Sequence, residues 1–197
     1  MTVRIRRHRR AEAPARYDAD TAAAQLEVYL QAGGSLRPVQ LDDLALDQGE
    51  VAFADVRCTM ARYYATTVTY PKAPAGYYED HPAFGRRWVP NHRLDARRRR
   101  AAEVEAQERW RDHAGARLVL TSEGLRINPL DAPGTWLPFD HALLTHIAAA
   151  PARRELVLSY SVCEPLLLSG NVVPWLSVAL HSLLPSELIA PFTENRK

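Results

Sequence analysis

The 197-residue sequence has little cysteine and little lysine. Its two thiols, Cys58 and Cys163, lie far apart with no C-x-x-C spacing, which excludes a disulfide framework and a zinc knuckle. Both sit in apolar, strand-like stretches, where a buried thiol packs as a small hydrophobe; a single bridge between them stays open. No long hydrophobic run exists: Val172 to Leu184 is broken by Pro174, Ser177, His181 and Ser182, well short of the roughly 20 residues that span a bilayer. The opening MTVRIRRHRRAEAPAR carries charge with no apolar stretch behind it. It is read as neither a secretory nor a twin-arginine signal, and a cytoplasmic protein is expected. There is no P-loop, G-x-S-x-G elbow or G-x-G-x-x-G. The seven histidines show no H-x-H or H-E-x-x-H spacing, and His141 and His146 fall on opposite faces of strand-like sequence. No base stands near Asp42-Asp43 to complete an acid–base pair. The expectation is therefore no enzyme, no metal and no cofactor, with a site gathered from distant residues as the weaker alternative.

What is present is arginine. Lys72 and Lys197 are the only lysines, so nearly all positive charge is guanidinium, against a net charge of only +2. One block is Arg4, Arg6, Arg7, Arg9 and Arg10. Another is Arg86, Arg87, Arg93, Arg97, Arg98, Arg99 and Arg100. Between them Asp42, Asp43, Asp47, Glu50 and Asp55 form an acidic stretch that would neutralise the blocks if the fold brought them together. A hydrophobic content of 47% supports a core for one domain with appendages, while 14 prolines favour short strands over long helices.

Residues 1–17, without periodicity, read as a flexible basic arm. Within 18–49, a helix capped by Asp20 or Thr21 places Ala23, Leu26 and Leu30 on one face, and Gly33-Gly34 stops it. Residues 50–187 read as a β-domain. Strands are expected at 50–57 and 60–69 as a first hairpin, followed by an insertion over 70–115. That insertion comprises a long loop, 71–93, and a helix, 94–113, with Arg99–Glu103 and Glu105–Arg109 as i,i+4 pairs. Apolar alternation then marks a hairpin over 116–127, its Gly124 suited to positive φ. Further strands follow: an edge strand at Trp136-Leu137-Pro138-Phe139, one from Ala142 to Ala149, one from Leu156 to Val162, and one at Leu166 to Leu168. Pro174 opens an amphipathic helix ended by Pro185, and 188–197 is a tail. The fold class is α+β, an antiparallel sheet covered by its last helix.

The pieces GARLVLTSEGLRI, WLPFDHALLTHI, ELVLSYSVCEPLLLSG and PWLSVALHSLL resemble the bacterial, actinobacterial-type pleckstrin-homology-like and GRAM-like proteins. They cover about residues 116–184, with 50–69 supplying the first hairpin. The resemblance implies an antiparallel β-sandwich or barrel closed by a C-terminal helix, and a domain that binds lipid head groups, peptides or proteins. Lipid-binding members carry basic residues in the first hairpin loop; here that loop is short and brings Arg57 and Arg62 rather than a basic cluster.

The insertion holds the leading candidates for binding: Tyr77, Tyr78 and Phe84 with Arg86, Arg87, Trp88, Arg97, Arg98, Arg99 and Arg100. Arginine forks grip phosphates and carboxylates bidentately, and aromatic rings stack on bases or settle at interfaces. The plainer reading is that the aromatics pin the loop to the sheet while the arginines pair with Glu103 and Glu105. Arg6, Arg7, Arg9 and Arg10 add a second, sequence-independent attraction for anions. Together these predict an adaptor that recruits a partner protein through insertion and arm. Nucleic-acid or anionic-membrane binding through the same arginines is the alternative.

Overall fold

The computed structural model describes residues 9–191. They form two units, Tyr63–Arg109 and the residues on either side of it. In chain order the elements are α1 (Arg9–Gln31), β1 (Ala52–Tyr64), β2 (Gly76–His81), β3 (Gly85–Pro90), α2 (His92–Ala106), β4 (Arg109–Thr121), β5 (Gly124–Pro129), β6 (Leu137–Asp140), β7 (Leu144–Ala150), β8 (Glu155–Tyr160), β9 (Leu166–Ser169), α3 (Val173–Leu183) and β10 (Ile189–Pro191).

The flanking unit is built on an eight-stranded sheet ordered β10-β7-β8-β9-β1-β4-β5-β6. The pairs β4–β5, β5–β6, β7–β8, β8–β9 and β9–β1 are antiparallel, while β10 lies parallel to β7. The α+β class and mostly antiparallel sheet agree with the expectation. β6 takes a sheet edge, where Pro138 has no ladder bond to forfeit.

The first hairpin does not exist as expected. β1 runs unbroken through 52–64, and its Thr59 to Arg62 pair with Ser169 to Leu166 of β9. Arg57-Cys58-Thr59-Met60 contains no Gly, Pro, Asn or Asp to turn the chain, and Ala52, Ala54, Cys58 and Met60 all face the interior. The connection between β1 and its sheet neighbour β4 is therefore the whole stretch 65–108. The loop said to hold Arg57 and Arg62 is replaced by one that carries Arg86, Arg87 and Arg97 to Arg100. The expected helix over 94–113 spans 92–106 instead, and the chain becomes strand from Arg109.

The core is mainly aliphatic, with Phe139 and Tyr160 packed at its margin. Leu118, Leu120, Leu156, Leu158, Leu166 and Leu168 from the sheet meet Val173, Leu176, Ala179 and Leu180 of α3, all buried. Each such leucine contributes about 1.5–3 kcal/mol relative to exposure. Pro174 sits in the first turn of α3, where its missing N–H costs nothing. Gly124 has a different reason from the one expected: its φ is not positive. A Cβ there would come within 2.4 Å of the Phe139 carbonyl oxygen, so the turn needs glycine to let β6 approach β5. Cys58 is buried, Cys163 half-buried, and both are free thiols.

α1 begins at Arg9, not at Asp20 or Thr21, so residues 9–17 of the expected arm are helical. Ala23 is buried, Leu26 packs on the core, and α1 lies against α3. The acidic stretch is held by sheet arginines. Arg117 reaches both Asp43 and Asp55 (2.7 Å to the latter) and lies over the Trp136 ring, while Arg154 takes Asp20 at 2.6 Å. These braces fasten the 38–50 linker and α1 to the sheet.

Candidate interaction surface

Tyr63–Arg109 combines an antiparallel hairpin, β2–β3, with helix α2. The hairpin replaces the long loop expected over 71–93. Its signals were present: Glu79 and Asp80 face Arg87 and Arg86 across Pro82-Ala83-Phe84, and Gly85 supplies the positive φ (66°) of the turn. Asn91 caps α2, its Oδ1 accepting the Leu94 N–H at 3.0 Å. The Ala75 N–H donates to Asp95 Oδ1 at 2.6 Å and its carbonyl accepts the Asn91 N–H at 2.7 Å, so buried Ala75 ties the hairpin base to the helix start. At the other end of α2, Thr66 donates to the Ala106 carbonyl and Tyr70 to Glu103.

Helical spacing sorts the arginines. Asp95, Arg99, Ala102 and Ala106 follow one stripe, which Ala106 buries; Arg99 and Asp95 line a small cleft of about 150 Å³ with Lys72 and Pro74. Arg93, Arg97, Arg100 and Val104 follow the opposite, exposed stripe, and Arg98, also exposed, lies between the two, nearer the first. Among the described residues, none of Arg93, Arg97, Arg98, Arg99 and Arg100 makes an ion pair. The expected Arg99–Glu103 pair is absent; Glu103 instead accepts the Tyr70 hydroxyl. Glu105 pairs with Arg109 as expected.

The two faces of the hairpin differ. On one, Trp88 lies edge-on to its register partner Tyr78 (centroids 5.1 Å, 67°), and the Arg86 guanidinium sits 4.5 Å above the Tyr78 ring. The Trp88 ring also covers Gly76, where a Cβ would meet it at 2.4 Å. On the other face Arg87 is paired with Glu79 at 3.0 Å, and His81 packs against Phe84. Arg86 and Asp80 are register partners, yet neither has an ion pair among the described residues. Tyr78, Trp88 and Phe84 remain 59%, 43% and 79% exposed. A two-stranded hairpin with both faces in water is marginal by itself; these cross-strand contacts add about 0.2–1 kcal/mol each.

The sequence candidates thus divide. Arg86, Trp88 and the α2 arginines share this unit, with Arg87 neutralised beside them. Arg9 and Arg10 open α1 in the other unit, and Arg6 and Arg7 lie outside the described residues.

A polar cluster in the flanking unit escaped sequence reasoning, because its members are up to 90 residues apart in the chain. Glu50 Oε1 takes Arg126 at 2.8 Å and the Thr121 hydroxyl at 2.5 Å, and Arg126 also holds Asp140 at 2.7 Å. Burial works to raise the Glu50 carboxyl, but Thr121, the Asp47 N–H and Arg126 outweigh it and hold it below the ordinary range. His141 lies in a single 3₁₀ turn rather than on a strand, with Nε2 3.2 Å from the Thr121 carbonyl oxygen. Burial pushes its pKa down, so it is neutral at pH 7. Glu50, Thr121, Arg126 and Asp140 pair with one another, which makes the cluster a brace, while the His141 Nδ1 is buried without a hydrogen-bond partner. A cleft of about 550 Å³ between α1 and α3 of the same unit is lined by Glu27, Leu30, Ser177 and His181. No group of three metal-ligating side chains occurs among the described residues. No protein-family profile matches the chain, and no curated protein matches it in sequence.

Proposed function

We propose that the chain is a non-catalytic adaptor: a pleckstrin-homology-like sheet and closing helix serve as scaffold, and the Tyr63–Arg109 unit recruits a partner protein. The observation that carries this reading is the coincidence, in one unit, of five helix arginines without carboxylate partners among the described residues and an aromatic hairpin exposed on both faces. Tyr, Trp and Arg are the side chains that dominate binding energy at protein interfaces. The scaffold half is supported by the mostly antiparallel sheet and by α3 buried against it.

The test is to replace 65–108 by a short glycine-rich turn joining β1 to β4. The sheet is expected to keep its cooperative unfolding, and recovery of the native partner from cell extract is expected to vanish. Unchanged recovery would remove the adaptor reading.

A second reading, anionic-membrane binding, is favoured by one observation: the arginines occupy the connection between β1 and β4, the place where lipid-binding members of the resembled superfamily carry basic residues. Vesicle binding that falls steeply with added salt is its expected signature.

A further inference from the structure

Resting on the adaptor reading, we infer that the partner is an acidic protein segment, received by the Arg86–Tyr78–Trp88 face of the hairpin and by the Arg93–Arg97–Arg100 stripe of α2. Three features favour a protein over a uniform polyanion. The first is preorganisation at Arg86. Its guanidinium carbon lies 4.5 Å from the centroid of the Tyr78 ring, so the ring supports the group from one side while Asp80 claims none of its N–H groups, and they stay open to a bidentate carboxylate.

The second is mixed sign. Asp80 lies beside Arg86 on the same face, and Glu79 lies behind it, so a phosphate backbone or anionic bilayer would meet repulsion where a protein with both signs would find complements. The third is ring occupancy. Tyr78 carries Arg86 and touches Trp88, and Phe84 packs on His81. Rings already engaged with one another are poor platforms for stacked bases but good rigid anchors for side chains.

On α2 the stripe repeats at spacings of four and three. Arg93, Arg97 and Arg100 therefore stand about one helical turn apart, at about 1.5 Å of rise per residue. Carboxylates at the same spacing on a partner helix, or on alternate residues of an extended segment, match that row.

The intact protein is titrated into three labelled probes: a glutamate–leucine repeat peptide that also carries a lysine to complement Asp80, oligothymidylate, and phosphatidylserine vesicles. The peptide is expected to bind most tightly. Arg86→Gln, and separately Arg97→Gln with Arg100→Gln, are each expected to weaken it about tenfold, as loss of an interface anchor does. Arg87→Gln, already neutralised by Glu79, is expected to change it less than twofold, and Trp88 fluorescence is expected to respond on binding. Tighter binding of oligothymidylate or vesicles overturns the acidic-protein assignment. So does equal weakening by Arg87→Gln and Arg86→Gln, which would mean charge without a site. If the peptide fails while removal of 65–108 still abolishes partner recovery, the partner chemistry is wrong and the adaptor reading stands; if recovery survives the removal, the adaptor reading itself falls.

Discussion

Arginine has two fates in this molecule. In the flanking unit, Arg117, Arg126 and Arg154 each hold carboxylates from a separate part of the chain, and each acts as a clamp. In Tyr63–Arg109, Arg86, Arg93 and Arg97 to Arg100 have no such partner among the described residues, although Asp80 and Glu103 are within reach along the chain. Apolar side chains divide the same way. The flanking unit buries aliphatic residues, while Tyr77, Tyr78, Phe84 and Trp88 are exposed. The contrast teaches that side-chain type does not assign the role. The same guanidinium is structural where a carboxylate is brought to it, and remains available for a partner where none is.

The sharpest way to break this contrast is to truncate one apolar side chain in each region. Leu158→Ala, fully buried between strand and helix, should destabilise by about 2–5 kcal/mol in urea unfolding. Phe84→Ala should stay within about 0.5 kcal/mol. Comparable losses would show that the hairpin aromatics are core. Next in size is the clamp itself. Arg126→Met strands a Glu50 carboxylate whose side chain is 1% exposed, and about 3 kcal/mol should be lost. Combining it with Glu50→Gln should recover part of that loss; strict additivity of the two changes would mean that the pair is not coupled.

Smaller again is a pH dependence in the flanking unit. His141 has its folded pKa lowered, by burial first, with Glu123, Arg126 and Asp140 facing it. Between the unfolded value, about 6.5, and the folded one, the unfolded chain binds a proton that the folded chain refuses. Stability is therefore present above that window and lost as pH falls through it. Glu50, also lowered, adds a second loss of the same sign below about 4.3. Melting temperature measured from pH 7 downward should fall in two steps, and His141→Asn should erase the upper one. An unchanged upper step would assign it to another group.

How much of this was legible in the sequence depends on how local the cause is. β5, β8 and α3 announced themselves through unbroken alternation or helical spacing, because one face of each is buried along its whole length. β1 was misread because Cys58-Thr59 interrupts the alternation of large side chains without any turn residue, and strand pairing with β9 overrides the gap. The β2–β3 hairpin was missed because nothing in it is buried. Its information lies in cross-strand charge pairs, which become visible only once the Pro82–Gly85 turn is placed. Arg86 and Trp88 could be nominated as candidates, but the separation of Arg86 from Arg87 needed the register. The Glu50–Arg126–Asp140 clamp was beyond reach, since no spacing rule links residues that meet only through the sheet.

The smallest effect is also the most discriminating. Arg93 and Arg97 are like charges four apart on one helix, and such pairs cost a few tenths of a kcal/mol. Alanine has the higher intrinsic helix propensity of the two. Arg97→Ala should therefore leave α2 unchanged or slightly more stable, by about 0.2–0.5 kcal/mol, read as slower hydrogen exchange of its amides. A clamp arginine cannot behave in this way, because its removal leaves a carboxylate stranded. Faster exchange after Arg97→Ala would reveal a structural partner for this guanidinium and erase the distinction between the two kinds of arginine. A gain in helix stability accompanied by loss of partner binding is the pattern of a residue kept at a cost to its own fold for the sake of what it contacts.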